Sequence, residues 1–258
     1  MKLNGKTIVI TGASSGIGKA LKEYFSTDNT VISLSRSATV PDIACDLNSD
    51  ISICAAAKQI IERYGKVDVL INNAGYGLYG AAELLGDEQI ERQFATNVTG
   101  AILLTKKLLP VMHEGSKIIN VASACALFPL PFRTMYCSSK AALNMYSFGL
   151  KMELQPYNID VTSICPGDVK TPFTVNREKN YSTNERYGNR IDAADKKITS
   201  RENKRMPMSY AVKKMIKIIE KKRYKPMYIV GGKYKLLYFL YRITPHLLFF
   251  AATRKIFS

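Results

Sequence analysis

The chain contains no tryptophan and only two histidines, His113 and His246, which sit in unrelated contexts. Two isolated imidazoles give no basis for a His-built zinc site or a Ser-His-Asp triad. The five cysteines (Cys45, Cys54, Cys125, Cys137 and Cys165) are odd in number and include no CxxC pair. Such usage points to reduced thiols in a cytosolic setting rather than to a disulfide framework. The opening segment, Met1 to Lys6, lacks an apolar core, so no signal peptide is expected. Arg242, Pro245 and His246 interrupt the apolar and aromatic stretch 234–250, which excludes a bilayer span there. Acidic residues are nearly missing from one region: residues 196–258 carry 17 Lys/Arg against 2 Asp/Glu, whereas residues 1–195 carry 20 against 19. The net charge of +16 therefore belongs almost wholly to the final quarter.

What is present is a regular alternation. Apolar, β-branched runs at 6–10, 30–34, 67–71, 116–121, 159–164 and 227–230 predict strands. Helical periodicity falls between them at 16–27, 50–64, 87–109, 136–155 and 209–222. At 258 residues this order predicts one α/β domain, a Rossmann-like doubly wound parallel sheet with helices on both faces. Residues 1–232 would form its body, and 233–258 a basic C-terminal extension. Residues 173–208 are polar and poorly periodic and read as a long loop.

Thr11-Gly12-Ala13-Ser14-Ser15-Gly16-Ile17-Gly18 joins the first strand to the first helix. Glycines at such a turn let backbone approach a pyrophosphate at a helix N-terminus. The spacing is neither a Walker A loop nor GxGxxG. Far along the chain, Tyr136 and Lys140 stand four residues apart and so share a helix face. A phenol with a pKa of about 10 is a poor acid-base group at pH 7, and a neighbouring cation lowers that value. A change of about three units corresponds to roughly 4 kcal/mol.

With Asn72-Asn73-Ala74-Gly75, Asn97, Ser123 and Pro166-Gly167, these motifs occur in the order and spacing of the short-chain dehydrogenases/reductases. The resemblance covers about residues 5–175 and is similar in its 71–80 stretch to the 17β-hydroxysteroid-dehydrogenase-like branch. It implies Asn97, Ser123, Tyr136 and Lys140 as the catalytic set, a homodimer or homotetramer, and a nicotinamide cofactor held across Gly12, Ser14, Ser15, Gly16, Ile17 and Gly18. Further cofactor contacts are implied at Asp46 and Leu47, at Asn73, Ala74 and Gly75, at Tyr136 and Lys140, and at Pro166, Gly167, Val169 and Thr171. Ala126 departs from the family, which often has glycine there, so a slightly stiffer loop follows Ser123. The family's equivalent of residues 173–208 closes over substrate, so the resemblance implies a lid at Phe173 to Tyr187.

Cofactor choice is read at the end of the second strand. An acid there selects NAD, and an arginine accommodates a 2′-phosphate. Here Ser35 and Arg36 occupy that place, which predicts NADP(H). No metal is expected. Ser123, Cys125, Phe128, Tyr136 and Phe173 are the candidate substrate contacts. Leu127 to Phe132, with Met135, Tyr76, Leu78 and Tyr79, surround the catalytic residues with large apolar groups, which favours a lipophilic ketone or secondary alcohol. A hydroxysteroid or bile acid is the first choice, and a long-chain 3-oxo lipid or acyl-dihydroxyacetone phosphate the second. A non-catalytic NADP-binding protein is the different-class alternative. No nucleic-acid module is recognisable. The basic, aromatic tail fits either a segment lying on an anionic membrane or one packed on the body or on another subunit.

Overall fold

The computed structural model describes residues 2–200 and 204–257; residues 201–203 of the polar segment, Met1 and Ser258 lie outside it. Six strands appear where hydrophobic periodicity places them: β1 (Thr7–Thr11), β2 (Thr30–Ser35), β4 (Val69–Asn72), β6 (Lys117–Val121), β7 (Asp160–Pro166) and β9 (Met227–Val230). A two-residue strand, β3 (Ile43–Ala44), completes a seven-stranded parallel sheet of order β3-β2-β1-β4-β6-β7-β9. Chain order runs outward from β1 to β3 and, in the other direction, from β4 to β9, so a crevice opens at the carboxyl ends between β1 and β4.

The strands are apolar without alternation because both faces are covered. Val9, Leu70 and Ile118 point into one core, and their neighbours Ile8, Ile10, Ile71 and Ile119 point into the other. The first core is closed by α2 (Asp50–Tyr64), α4 (Gly100–Leu108) and α5 (Thr134–Leu154), through Ile53, Ile60, Leu104, Leu108 and Leu150. The second is closed by α1 (Gly16–Phe25) and α8 (Met208–Ile219), through Leu21, Phe25, Val212 and Met215. Ser49 caps α2 by accepting from Ser52 N at 3.2 Å, and Asp46, whose Oδ1 accepts from Asn48 N at 3.0 Å, lines the crevice.

Three local features differ from the sequence expectation. The helix expected over 87–109 is not uniform. After α3 (Asp87–Phe94) it widens into a π turn at Ala95–Thr99 and resumes as α4. The segment 173–208 is not a plain loop. It holds α6 (Pro172–Val175), a two-residue strand β8 (Glu178–Lys179) paired with β5 (Leu78–Tyr79), and α7 (Arg190–Thr199). Ile191, Ala194 and Ile198 of α7 are buried against Tyr79 and Phe132, so tertiary packing orders a locally polar sequence.

The tail forms α9 (Gly232–Ile243) and α10 (His246–Phe257), separated at Pro245. Tyr234, Leu237, Tyr238 and Tyr241, spaced along one side of α9, pack against the body. Phe249 of α10 is buried there too, 6.3 Å from the Phe128 ring and 4.7 Å from that of Tyr241. The opposite side of α9, at Leu236, Phe239, Leu240 and Ile243, remains exposed.

Candidate functional site

A cavity of about 1460 Å³ runs along the carboxyl ends of the strands. Every candidate cofactor and substrate residue lines it: Gly12, Ser14 to Gly18, Ser35, Arg36, Asp46, Leu47, Asn73 to Gly75, Ser123, Cys125, Phe128, Tyr136, Lys140, Pro166, Gly167, Val169, Thr171 and Phe173. Asn97 alone among the candidates does not line it. It lies buried behind the wall.

The glycine turn is built for close approach. Gly12 adopts φ +67, and a Cβ there would lie 2.8 Å from Ala74 Cα. Asn73 ties the β1 and β4 ends together, its Nδ2 donating to Thr11 O at 3.0 Å and Gly12 O at 3.1 Å. Thr11 opened the motif in the sequence but carried no assigned role. Its Oγ1 accepts from the backbone N–H groups of Asn73 and Ala74, both at 3.0 Å. The turn that would face a pyrophosphate is thus fixed from beneath.

Asn97 works in the same way. Its amide nitrogen donates to Tyr76 O at 3.0 Å and to Ser139 Oγ at 3.1 Å, while its oxygen accepts from Tyr76 N at 3.0 Å. The π turn presents this side chain inward, which a regular helix carrying a modest helix former would not require. A Cβ on Gly75 would come within 2.9 Å of Asn97 Oδ1 and 3.1 Å of Lys140 Nζ, so the two groups flank one point of the wall.

Tyr136 and Lys140 are buried on the same face of α5. Lys140 Nζ donates to Val121 O at 3.0 Å. Burial lowers the Lys140 ammonium to about 8, with Cys165 opposing. Burial also pushes the Tyr136 phenol well up, the Cys125 thiol adds to this, and Ser123 opposes it. Burial, and not Lys140, sets the direction of the Tyr136 shift in this arrangement. Ser123 stands at the end of β6, and its hydroxyl accepts from Cys125 N at 3.1 Å. The Cys125 thiol is held below the ordinary thiol range by the Cys137 thiol beside it, helped by Arg133 and Arg177.

The apolar half is narrower than the sequence suggests. Phe128, Leu130, Tyr76 and Phe173 line the cavity, but Leu78, Tyr79, Leu127, Phe132 and Met135 do not. Tyr79 turns into the core beneath α7 and donates to Ile191 O at 2.6 Å. The Phe173 ring lies 5.7 Å from that of Tyr136. Tyr234 and Leu237 of α9 also line the cleft, and a Cβ on Gly167 would overlap the Tyr234 ring at 2.1 Å. Nothing in the sequence between Pro166 and the tail signals that contact. The described residues hold no cluster of three or more metal-ligating side chains.

Residues 6–182 match the short chain dehydrogenase family. The chain is 37% identical over 201 residues, 75% of its length, to a 3-ketodihydrosphingosine reductase from Bacteroides thetaiotaomicron, of which 73% is covered. It is 32% identical over 250 residues to a probable short-chain type dehydrogenase/reductase from Helicobacter pylori, covering 92% of each. The fold superposes on a short-chain dehydrogenase from Streptomyces avermitilis with a TM-score of 0.80 at 26% identity, covering 97% of this chain and 95% of that one. The strand order, the glycine turn and the buried Tyr136–Lys140 pair meet in one cleft, and the chain belongs to the short-chain dehydrogenase/reductase family of nicotinamide-dependent oxidoreductases.

Proposed function

We propose that this protein is an NADP(H)-dependent reductase of a ketone carried on a lipophilic substrate, running reversibly to the secondary alcohol. The observation that carries the reading is the meeting of Ser123, Tyr136 and Lys140 in one cavity that the Gly12–Arg36 residues and Phe128 and Phe173 also line. The cofactor supplies the hydride chemistry when bound. Tyr136 gives a proton to the developing alkoxide while Ser123 donates a hydrogen bond to the same oxygen. Tyr136 is protonated near pH 7, the state from which it can give a proton. Lys140 holds the ribose side of the cofactor.

NADP(H) is favoured because Ser35 and Arg36 line the adenosine end and no acid stands at that position. The nearby Asp42 is already tied to Lys22 and accepts from Ser33 N at 3.1 Å. Phe128, Leu130 and Phe173 favour a lipid over a sugar. Similarity to a 3-ketodihydrosphingosine reductase favours a long-chain keto-lipid over the steroid or bile acid of the 17β-hydroxysteroid-dehydrogenase-like branch. Loss of absorbance at 340 nm tests this, with NADPH or NADH against keto-lipids, keto-steroids and aldoses. NADPH-linked turnover of keto-lipids supports the reading. Turnover of aldoses alone, or NADH used as well as NADPH, rejects it.

A second reading concerns location. Leu236, Phe239, Leu240 and Ile243 share the outward side of α9, flanked by the exposed Lys233, Lys235 and Arg242. An apolar face rimmed by cations matches an anionic lipid surface, where polybasic attraction contributes about 1 kcal/mol per cation. No described helix is long and apolar enough to cross a membrane. Full-length protein should co-sediment with anionic vesicles at low salt and less at high salt. Equal binding to neutral vesicles, or a dimer or tetramer that hides this face, would reject the lipid.

A further inference from the structure

Two arginines of the substrate half have no part in the reading above. Arg133 precedes α5, and Arg177 lies between α6 and β8; both line the cavity. Arg177 crosses Gly77 so closely that a Cβ there would lie 3.3 Å from its Nε and equally near Phe173 Cε1, and the Phe173 ring lies tilted against that of Tyr136. The guanidinium is thus held beside the reacting end of the cleft. Arg133 Nε and Arg177 Nη1 are buried without a hydrogen-bond partner. Neither side chain makes an ion pair among the described residues. Burial lowers the Arg177 pKa, and the Arg133 charge adds to that.

The neighbouring carboxylates are engaged elsewhere. Asp168 accepts from Arg205 Nε at 3.3 Å, Asp195 from Lys179 and Tyr181 at 2.7 Å each, and Glu178 from Arg92 at 2.6 Å. Buried donors without partners are costly in a closed site, and a planar guanidinium fork fits a carboxylate or phosphate.

We infer that Arg133 and Arg177 form a clamp for an oxyanion, carboxylate or phosphate, borne by the ketone substrate on the Tyr136 side of the cleft. This rests on the keto-lipid reductase reading and narrows it to an acidic long-chain ketone, which sets this chain apart from its 3-ketodihydrosphingosine reductase relative, named for a ketone that bears an amine.

The test is calorimetric binding of dodecyl phosphate, dodecanoate, dodecanol and dodecylamine to the full-length protein saturated with NADP, which occupies the Arg36 end. At least one anion should bind about 10- to 100-fold tighter than dodecanol, and the two anion arms separate phosphate from carboxylate. Arg133→Gln and Arg177→Gln should each remove most of that ratio, and Arg177→Lys should restore part of it. Dodecanol binding as tightly as both anions, or an anion preference untouched by any of the variants, overturns the clamp. If a glutamine variant fails to fold, the wild-type ranking and Arg177→Lys still decide. NADPH turnover of matched acidic and neutral long-chain ketones separates the two proposals. Anion-selective binding without any turnover rejects the reductase reading alone, and unselective binding with turnover rejects the clamp alone.

Discussion

The two halves of the cleft are built by different means. The cofactor half is mostly backbone. The Gly12–Gly18 turn and the Asn73–Gly75 segment are braced by Thr11 and Asn73 through hydrogen bonds between adjacent strand ends. The substrate half is mostly side chain, drawn from the Ser123–Arg133 loop, from Phe173 and Arg177, and from Tyr234 and Leu237 of the tail. A backbone cradle demands glycine and asparagine at fixed offsets, which leaves a written signature. A side-chain wall assembled from distant segments demands only that its parts meet, and leaves none.

Four changes would sharpen or break this contrast. The largest effect should come at the seam between the halves. Tyr136→Phe removes the proton donor and should cut kcat by about 10²- to 10⁴-fold while leaving NADP affinity nearly intact. Steady-state kinetics beside a cofactor titration check both parts, and a parallel loss of NADP affinity would mean that the halves are not separable. Next is the tail. Phe249→Ala opens space beside Phe128 and Tyr241 and should cost about 3 kcal/mol of stability, read from denaturant unfolding. A change below about 0.5 kcal/mol would show that α10 is not firmly packed on the body.

In the cofactor half, replacing Ser35 by Asp and Arg36 by Ala should shift the NADPH-to-NADH preference by about 10- to 100-fold toward NADH. The ratio of kcat/KM values for the two cofactors measures it. The smallest effect is protonic. Burial sets Lys140 near 8, so the ammonium is intact below that pH and lost as pH rises through it. A ligand that bonds the charged form should therefore bind with proton uptake, and its affinity should fall about tenfold per pH unit above 8. Calorimetry of NADP binding in buffers of different ionisation enthalpy reads this uptake, which should vanish in Lys140→Met.

The same contrast explains what the sequence disclosed. Strand placement was legible because doubly covered strands are apolar throughout, as at Ile8–Ile10 and Ile118–Ile119. The nucleotide turn and the Tyr136–Lys140 face were legible because spacing alone defines them. α7 was hidden by the polar residues around it, although Ile191, Ala194 and Ile198 carry a helical period. The π turn is fixed by a tertiary contact, Asn97 bonding to the backbone of Tyr76, and an asparagine within a helical stretch is its local trace. Tyr234 filling the space above Gly167, and Arg177 the space above Gly77, are contacts across long sequence separation that no local pattern encodes.

The central claim is that hydride passes across this seam to a lipid ketone. The direct measurement is mass spectrometry of the alcohol formed from a long-chain keto-lipid with NADPH carrying deuterium at both C4 positions. The account predicts one deuterium on the former carbonyl carbon with the wild-type protein, and about 10²- to 10⁴-fold less of the labelled alcohol in the same time with Tyr136→Phe. Unlabelled alcohol from the wild type, or equal amounts of labelled alcohol from both proteins, would contradict it.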